Sequence, residues 1–208
     1  MKKIIVTGGC GYIGSHTTIE LIENDFEVVI FDDLSNSSEK TLERIEKITG
    51  VKPIFEKIDL KDQRATECAF DRYKDAFAVI HFAALKAVGD SIEKPLEYYQ
   101  NNLYSFLNTL MCQHKLGIHK FIFSSSATVY GNPDVLPITE ENKTQRPFSP
   151  YGNTKKIAEE ILDDFTKANP NFAAISLRYF NPIGAHESGN IGELPNGTPN
   201  NLMPYITQ

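Results

Sequence analysis

The chain has 208 residues, 41% hydrophobic and 23% charged, with a net charge of −6 and no basic cluster, which excludes nucleic acid as its main partner. Its longest apolar runs are strand-sized, so no membrane span is expected, and Ile4-Ile5-Val6 after Met1-Lys2-Lys3 is too short for a signal peptide. Cys10, Cys68 and Cys112 are odd in number and far apart; they make neither a disulfide framework nor a zinc site, and a reducing cytoplasmic setting fits best.

Lys3-Ile4-Ile5-Val6 reads as a short buried strand and residues 13 to 24 as a helix, with Thr7-Gly8-Gly9-Cys10-Gly11-Tyr12-Ile13-Gly14-Ser15 between and across them. Gly8, Gly11 and Gly14 have separate tasks: a tight turn, approach of a pyrophosphate to bare backbone, and close packing of helix on strand. The anion then meets the free N–H groups at the helix N-terminus. Ile30-Phe31-Asp32-Asp33 closes the second strand 18 residues past Gly14, where a ribose-binding carboxylate is expected. Asp32 would accept from the adenosine ribose and repel a 2′-phosphate, which favours NAD over NADP.

Strands and helices alternate for about 180 residues, the signature of βαβ units around a parallel sheet. The expected fold is α/β, a Rossmann-like doubly wound parallel sheet with helices on both faces. Leu34-Ser35-Asn36-Ser37-Ser38 is a polar loop that fits either a site for the adenosine ribose or a plain approach to the helix over 39–49. Residues 52–58 form the third strand, placed near an edge by Pro53. Asp59-Leu60 ends it; Asp59 either binds the adenine amino group or caps the following helix.

The fourth strand, 78–82, runs into Ala83-Ala84-Leu85-Lys86, where small residues would let a ribose or phosphate come close. Lys86 is either a ligand-facing ammonium or a solvated loop lysine. His81 reads as a packed strand histidine, since no nucleophile pairs with it, and the other histidines show no metal spacing. A long helix is expected over 91–116, with Pro95 in its first turns and Gly117 as C-cap. Leu96, Tyr99, Leu103, Phe106 and Leu110 form one apolar face, and Tyr98, Tyr104, Leu107 and Met111 a second. Either both faces lie inside the domain or one meets a second copy. Asn101 and Asn102 interrupt the pattern; a buried Asn needs a partner, cofactor or backbone carbonyl.

The fifth strand, 121–123, ends in Ser124-Ser125-Ser126-Ala127-Thr128-Val129-Tyr130-Gly131, three hydroxyls where a nicotinamide would point. A loop carrying Pro133, Pro137, Pro147 and Pro150 follows, then Tyr151-Gly152-Asn153-Thr154-Lys155 opens a helix over 151–168. At about 100° per residue from Tyr151, Lys155 falls near 40°, Ala158 near −20°, Leu162 near 20° and Phe165 near −40°. Lys156, Glu160, Asp163 and Lys167 fall opposite. A lysine on the core-facing stripe without a function is expensive. An ammonium one turn from a tyrosine, with a positive nicotinamide above, is expected to lower the phenol pKa from ~10. Such a tyrosine can take an alcohol proton while hydride leaves the same carbon, with Ser126 holding the oxygen.

The Gly-x-x-Gly-x-x-Gly turn, Ser-Ser-Ser-Ala-Thr-Val-Tyr-Gly and Tyr-x-x-x-Lys resemble those of the extended short-chain dehydrogenase/reductases. Gly-Gly-Cys-Gly-Tyr-Ile-Gly-Ser-His, His-Phe-Ala-Ala-Leu-Lys-Ala-Val-Gly and Arg-Tyr-Phe-Asn-Pro-Ile-Gly-Ala-His narrow this to a resemblance to the UDP-glucose 4-epimerase family. The resemblance implies one tightly held NAD and a UDP-hexose substrate, with Tyr151 as base, Lys155 its lysine and Ser126 its hydroxyl partner. It implies cofactor contacts at Tyr12, Ile13, Asp32, Asp33, Leu34, Ser35, Asn36, Ser37, Asp59, Leu60, Phe82, Ala83, Ala84, Leu85, Lys86, Asn101, Lys155 and Phe180. Ser124, beside Ser126 at the strand end, is counted with them. Sugar-nucleotide contacts are implied at Ser126, Tyr151, Asn181, Asn201 and Leu202. The implied reaction takes hydride from the fourth carbon of the hexose, leaving a 4-keto sugar that turns and receives hydride on its other face. Related dehydratases carry Asp-Glu after the strand-end hydroxyl; here Ala127 and Thr128 stand there. Residues 1–180 are expected to form the NAD-binding domain with the Ser/Tyr/Lys group. Residues 181–208, rich in Gly, Pro and Asn, are expected to begin a substrate-binding segment that is incomplete. A homodimer through the helices 91–116 and 151–168 is the expected assembly.

Overall fold

The structure, a computed structural model, describes residues 1–194 and 205–206. Six parallel strands form one sheet: β1 (Lys2–Thr7), β2 (Phe26–Asp32), β3 (Ile54–Lys57), β4 (Ala78–His81), β5 (Lys120–Ser124) and β6 (Ala173–Leu177), in the order β3-β2-β1-β4-β5-β6. The order reverses between β1 and β4, whose register pairs Ile4 with Ala78 and Thr7 with His81. A crevice at the carboxyl ends of the strands opens at that reversal in doubly wound sheets.

Strand residues alternate between faces. Ile5, Val29, Phe31, Val79, Phe121 and Phe123 point to one side, under α3 (Gln63–Arg72), α5 (Pro95–Lys115) and α6 (Pro150–Ala168). Ile4, Val6, Val28, Ile30, Ala78 and Ile80 point to the other, under α1 (Tyr12–Glu23) and α2 (Lys40–Thr49). Ile191, from the segment after β6, joins this second cluster. Nearby, Tyr12 Oη donates to Gly184 O at 2.8 Å.

Several expectations are corrected. The helix expected over 91–116 is two: α4 (Val88–Glu93) and α5 from Pro95, with Lys94 at φ −125° and ψ 55° between them. A residue before proline is pushed out of the helical region, and Pro95 has no N–H to continue the ladder. Its faces also differ from the apolar count. Tyr98 is buried, whereas Leu96, Tyr104 and Met111 are exposed. The inward face of α5 is half polar because it satisfies neighbouring backbone. Asn108 Nδ2 donates to Leu60 O at 2.8 Å and Gln113 Nε2 to Lys120 O at 2.8 Å. Asp59 caps no helix: Asp62 is the N-cap of α3, its carboxylate accepting from Ala65 N, while Asp59 Oδ1 accepts from Lys61 N. The sixth strand was not read from sequence. Its Ala-Ala-Ile-Ser-Leu is short, lies at the sheet edge and is half exposed on both faces.

Candidate active site

The glycine turn lies at the reversal point. Gly8 has φ +68°, and a Cβ there would stand 2.7 Å from Ala83 N. A Cβ on Gly14 would stand 2.3 Å from Gly8 O, so the first turn of α1 packs bare on the glycine turn that follows β1. Gly11 meets only Gly8 O, at 3.3 Å, and otherwise faces open space; as N-cap it gives α1 no side-chain cap. A helix N-terminus with open glycine backbone in front of it can receive an anion.

Asp32 ends β2 and is 8% exposed. Its Oδ1 accepts from Leu34 N at 2.9 Å and Ser37 Oγ at 2.8 Å, and its Oδ2 accepts from Cys10 N at 3.0 Å. A carboxylate offers about four acceptor sites, so one on Oδ2 stays open to a ribose. Burial holds this carboxyl above the usual carboxylate range, against the pull of those three donors. Leu34 has φ +62°, Asp33 Oδ1 accepts from Ser35 N and Oγ, and Asn36 is exposed. Asp33, Ser35, Lys61, Leu85 and Asn101 line one small cavity, which gathers residues from four predicted segments.

On the other half of the sheet, Phe82, Ala83, Ala84 and Leu85 are half-buried after β4. Asn102 clamps that loop: its Oδ1 accepts from Leu85 N at 2.8 Å, and its Nδ2 donates to Leu85 O and Thr154 Oγ1, each at 3.0 Å. Its partner is thus backbone and the neighbour of Lys155. Asn101 accepts from Lys61 Nζ at 3.0 Å. Lys86 is exposed, as a solvated loop lysine would be, but it is not free: its Nζ pairs with Glu193 Oε1 at 2.8 Å. His81 is buried with its Nδ1 2.8 Å from Thr7 Oγ1, and burial pushes it down to about 3, so it is a neutral packed residue.

Ser124, Ser125 and Ser126 are buried at the end of β5, and Ser126 caps a 3-10 turn, Ala127–Tyr130. Across from it α6 begins at Ser149, whose Oγ accepts from Gly152 N at 3.1 Å. A Cβ on Gly152 would stand 3.0 Å from Thr128 Oγ1, so glycine lets the turn and α6 meet. The Ser126 hydroxyl is near enough to the Tyr151 phenol to pull its pKa down. Thr128 Oγ1 donates to Ser126 Oγ at 3.0 Å, a contact sequence reading missed. Lys155 is 4% exposed; its Nζ donates to Ser124 O at 2.7 Å and lies 5.9 Å from the centroid of the Tyr151 ring. The helical angles therefore hold: Lys155, Ala158 and Leu162 are buried, and Glu160, Asp163 and Lys167 are exposed.

The expected pKa pattern is corrected. Burial holds the Tyr151 phenol above its ordinary value, opposed by the Ser126 hydroxyl. Burial also lowers the Lys155 ammonium to about 7. Desolvation governs both groups, and Lys155 aims a hydrogen at the Ser124 carbonyl. Ile13 is half-buried in α1 and Leu60 is buried beside Asn108. Phe180 and Asn181 are exposed just past β6, while Asn201 and Leu202 lie outside the described residues.

A parallel sheet in this order, with a glycine turn and an acidic strand end at the reversal, defines a Rossmann-type nucleotide-binding protein. The family model described as "NAD dependent epimerase/dehydratase family" matches residues 4–207, and the chain belongs to that family. It is 52% identical over 205 residues to UDP-glucose 4-epimerase of Haemophilus influenzae, covering 99% of this chain and 60% of that relative. It is 53% identical over 206 residues to UDP-glucose 4-epimerase of Erwinia amylovora, covering 99% and 61%. The crystal structure of UDP-glucose 4-epimerase from Bifidobacterium longum in complex with NAD+ and UDP superposes with a TM-score of 0.96 at 49% identity, covering 99% of this chain and 61% of that one. The chain thus spans about three fifths of the length of the relatives it matches.

Proposed function

We propose that this chain carries the NAD-binding and catalytic part of a UDP-glucose 4-epimerase, an isomerase that interconverts UDP-glucose and UDP-galactose in a reducing cytoplasm. The observation that carries the reading is Lys155, buried one helical turn from Tyr151 and donating to Ser124 O at 2.7 Å, beside Ser126 at the carboxyl end of β5. The likeness to relatives so named supports it. The residues present fit NAD: open backbone at Gly11, the uncapped start of α1, and the Asp32 carboxylate with an acceptor site to spare. Tyr12, Ile13, Asp33 to Ser37, Asp59, Leu60, the 82–86 loop, Asn101, Ser124, Lys155 and Phe180 would complete its surroundings. Bound there, NAD supplies an acceptor and then a donor of hydride for the fourth carbon of the hexose.

The chain's own residues handle the proton. Tyr151, as phenolate, takes the proton of the C4 hydroxyl, and Ser126 holds that oxygen while the 4-keto sugar forms. The same phenol returns the proton after the keto sugar has turned, so the net reaction is an inversion without redox change. Lys155 sets the local potential at the phenol through its charge. Asn181, Asn201 and Leu202 are assigned to the sugar nucleotide, and residues 181–208 to the start of its binding segment. With Ala127 and Thr128 after Ser126 there is no Asp-Glu pair for an elimination, which argues against a dehydratase. A binder without turnover would have no need of a buried lysine behind a phenol.

The test is incubation of the protein with NAD and UDP-galactose, coupled to detection of UDP-glucose, with UDP-N-acetylgalactosamine as a second substrate. Product from UDP-galactose is expected. NAD-saturated protein that leaves it unchanged, both as this chain and at its relatives' full length, ends the reading.

A homodimer is proposed through α5 and α6. Leu96, Tyr104 and Met111 are exposed along one stripe of α5, with Leu103 and Leu107 half-buried between them. Such a stripe is costly in water and suits a second copy. Light scattering is expected to give twice the chain mass; a monomer at working concentration removes this assembly.

A further inference from the structure

A charged pair joins the elements that carry Ser126 and Tyr151. Glu159 lies one helical turn past Lys155 on α6. Its carboxylate takes the fork of Arg178, Nε to Oε1 at 3.0 Å and Nη2 to Oε2 at 2.8 Å, with side-chain exposures of 11% and 23%. Oε1 also accepts from Ser125 Oγ at 2.5 Å, the hydroxyl next to Ser126. Arg178 Nη1 donates to Tyr130 Oη at 2.9 Å, in the last residue of the turn that Ser126 caps. Immediately after Arg178, Tyr179 O accepts from Ala127 N at 2.7 Å. The Glu159–Arg178 pair therefore binds together α6, the end of β5, the 3-10 turn and the chain leaving β6. The other ion pairs of α6, Lys156 with Glu160 and Lys167 with Asp163, are single contacts with mostly exposed partners that join α6 only to itself.

A mostly buried ion pair is a weak device for stability, because apolar residues of like volume do as well. A planar fork on a carboxylate does fix orientation, through two parallel bonds that a single-point cation cannot make. We infer that Glu159 and Arg178 are positioning residues whose fork sets the distance between the Ser126 hydroxyl and the Tyr151 phenol. The inference rests on the proposed role of those two groups in proton transfer and adds the part of the chain that aligns them.

The test uses Arg178→Lys, which keeps the charge and loses the fork, and Tyr130→Phe, which removes one acceptor alone. With tyrosine ring carbons labelled with ¹³C and the Tyr151 signal assigned by its loss in Tyr151→Phe, the phenol is titrated in NAD-saturated protein. The Ser126 hydroxyl holds the phenol pKa down. Both variants should therefore titrate at higher pH than the parent, Arg178→Lys further than Tyr130→Phe. UDP-galactose turnover should fall on the order of 10- to 100-fold, with KM and NAD affinity within about threefold. A Tyr151 titration unchanged in folded, NAD-binding Arg178→Lys overturns the proposal; if that variant does not fold, Tyr130→Phe is read the same way. Should the parent bind NAD and turn over nothing, the titration still decides the positioning role, movement keeping it and no movement removing it, while the epimerase reading is decided at the relatives' full length.

Discussion

Replacing Lys155 by methionine is expected to stabilise the fold at pH 7 and below while it destroys turnover. The ammonium is 4% exposed, has one hydrogen bond to Ser124 O, and burial lowers it from 10.5 to about 7. Since the folded value lies below the unfolded one, the unfolded chain holds the extra proton between about pH 7 and 10.5. Stability from this group therefore rises with pH across that window, and the penalty is greatest below about pH 7, where the folded protein buries the charge. Methionine fills similar volume with no charge to desolvate, so a gain of roughly 1 to 4 kcal/mol is expected at pH 6. Urea unfolding of parent and variant from pH 6 to 10 measures it. The gap between the two should close as the pH climbs, and a gap that is constant or widens refutes the assignment. Turnover should fall by about 100-fold or more, because the positive charge behind the phenol is gone.

Tyr151→Phe should leave NAD binding and the fold in place and lower UDP-galactose turnover by about 10²- to 10⁴-fold, the usual worth of a positioned acid–base group. The ring keeps its place at the start of α6, and Ser126 keeps its hydrogen bond from Thr128. The parent's rate should rise with pH, because burial holds the phenol above its ordinary value and the phenolate is the working form. In the variant that rise should vanish from whatever rate is left. A variant that turns over at the parent rate removes Tyr151 as the base.

These two residues were legible in the sequence because a spacing of four on a helix is geometry, and the opposite face held ordinary charged residues. The glycine turn and Asp32 were legible for a like reason: each needs one residue type at one place. The division of α4 from α5 was legible in principle, since Lys94 precedes Pro95, but a run of apolar residues at helical spacing hid it. The inward face of α5 misled outright. Asn102, Asn108 and Gln113 are there to meet backbone groups of other elements, which an apolar count cannot register. The Glu159–Arg178 fork joins residues 19 apart through a strand that sequence reading missed, so nothing local announced it. The direction of the Tyr151 and Lys155 shifts depended on burial, and that exists only once the chain is packed.

The contact of Gly8 with Ala83 has a mechanical consequence. The dinucleotide half of the sheet and the half bearing Ser126 and Tyr151 meet along β1 and β4, and at the crevice end of that junction main chain lies directly on main chain. Any side chain in place of Gly8 would therefore have to part the loop after β1 from the loop after β4 and widen the mouth of the crevice.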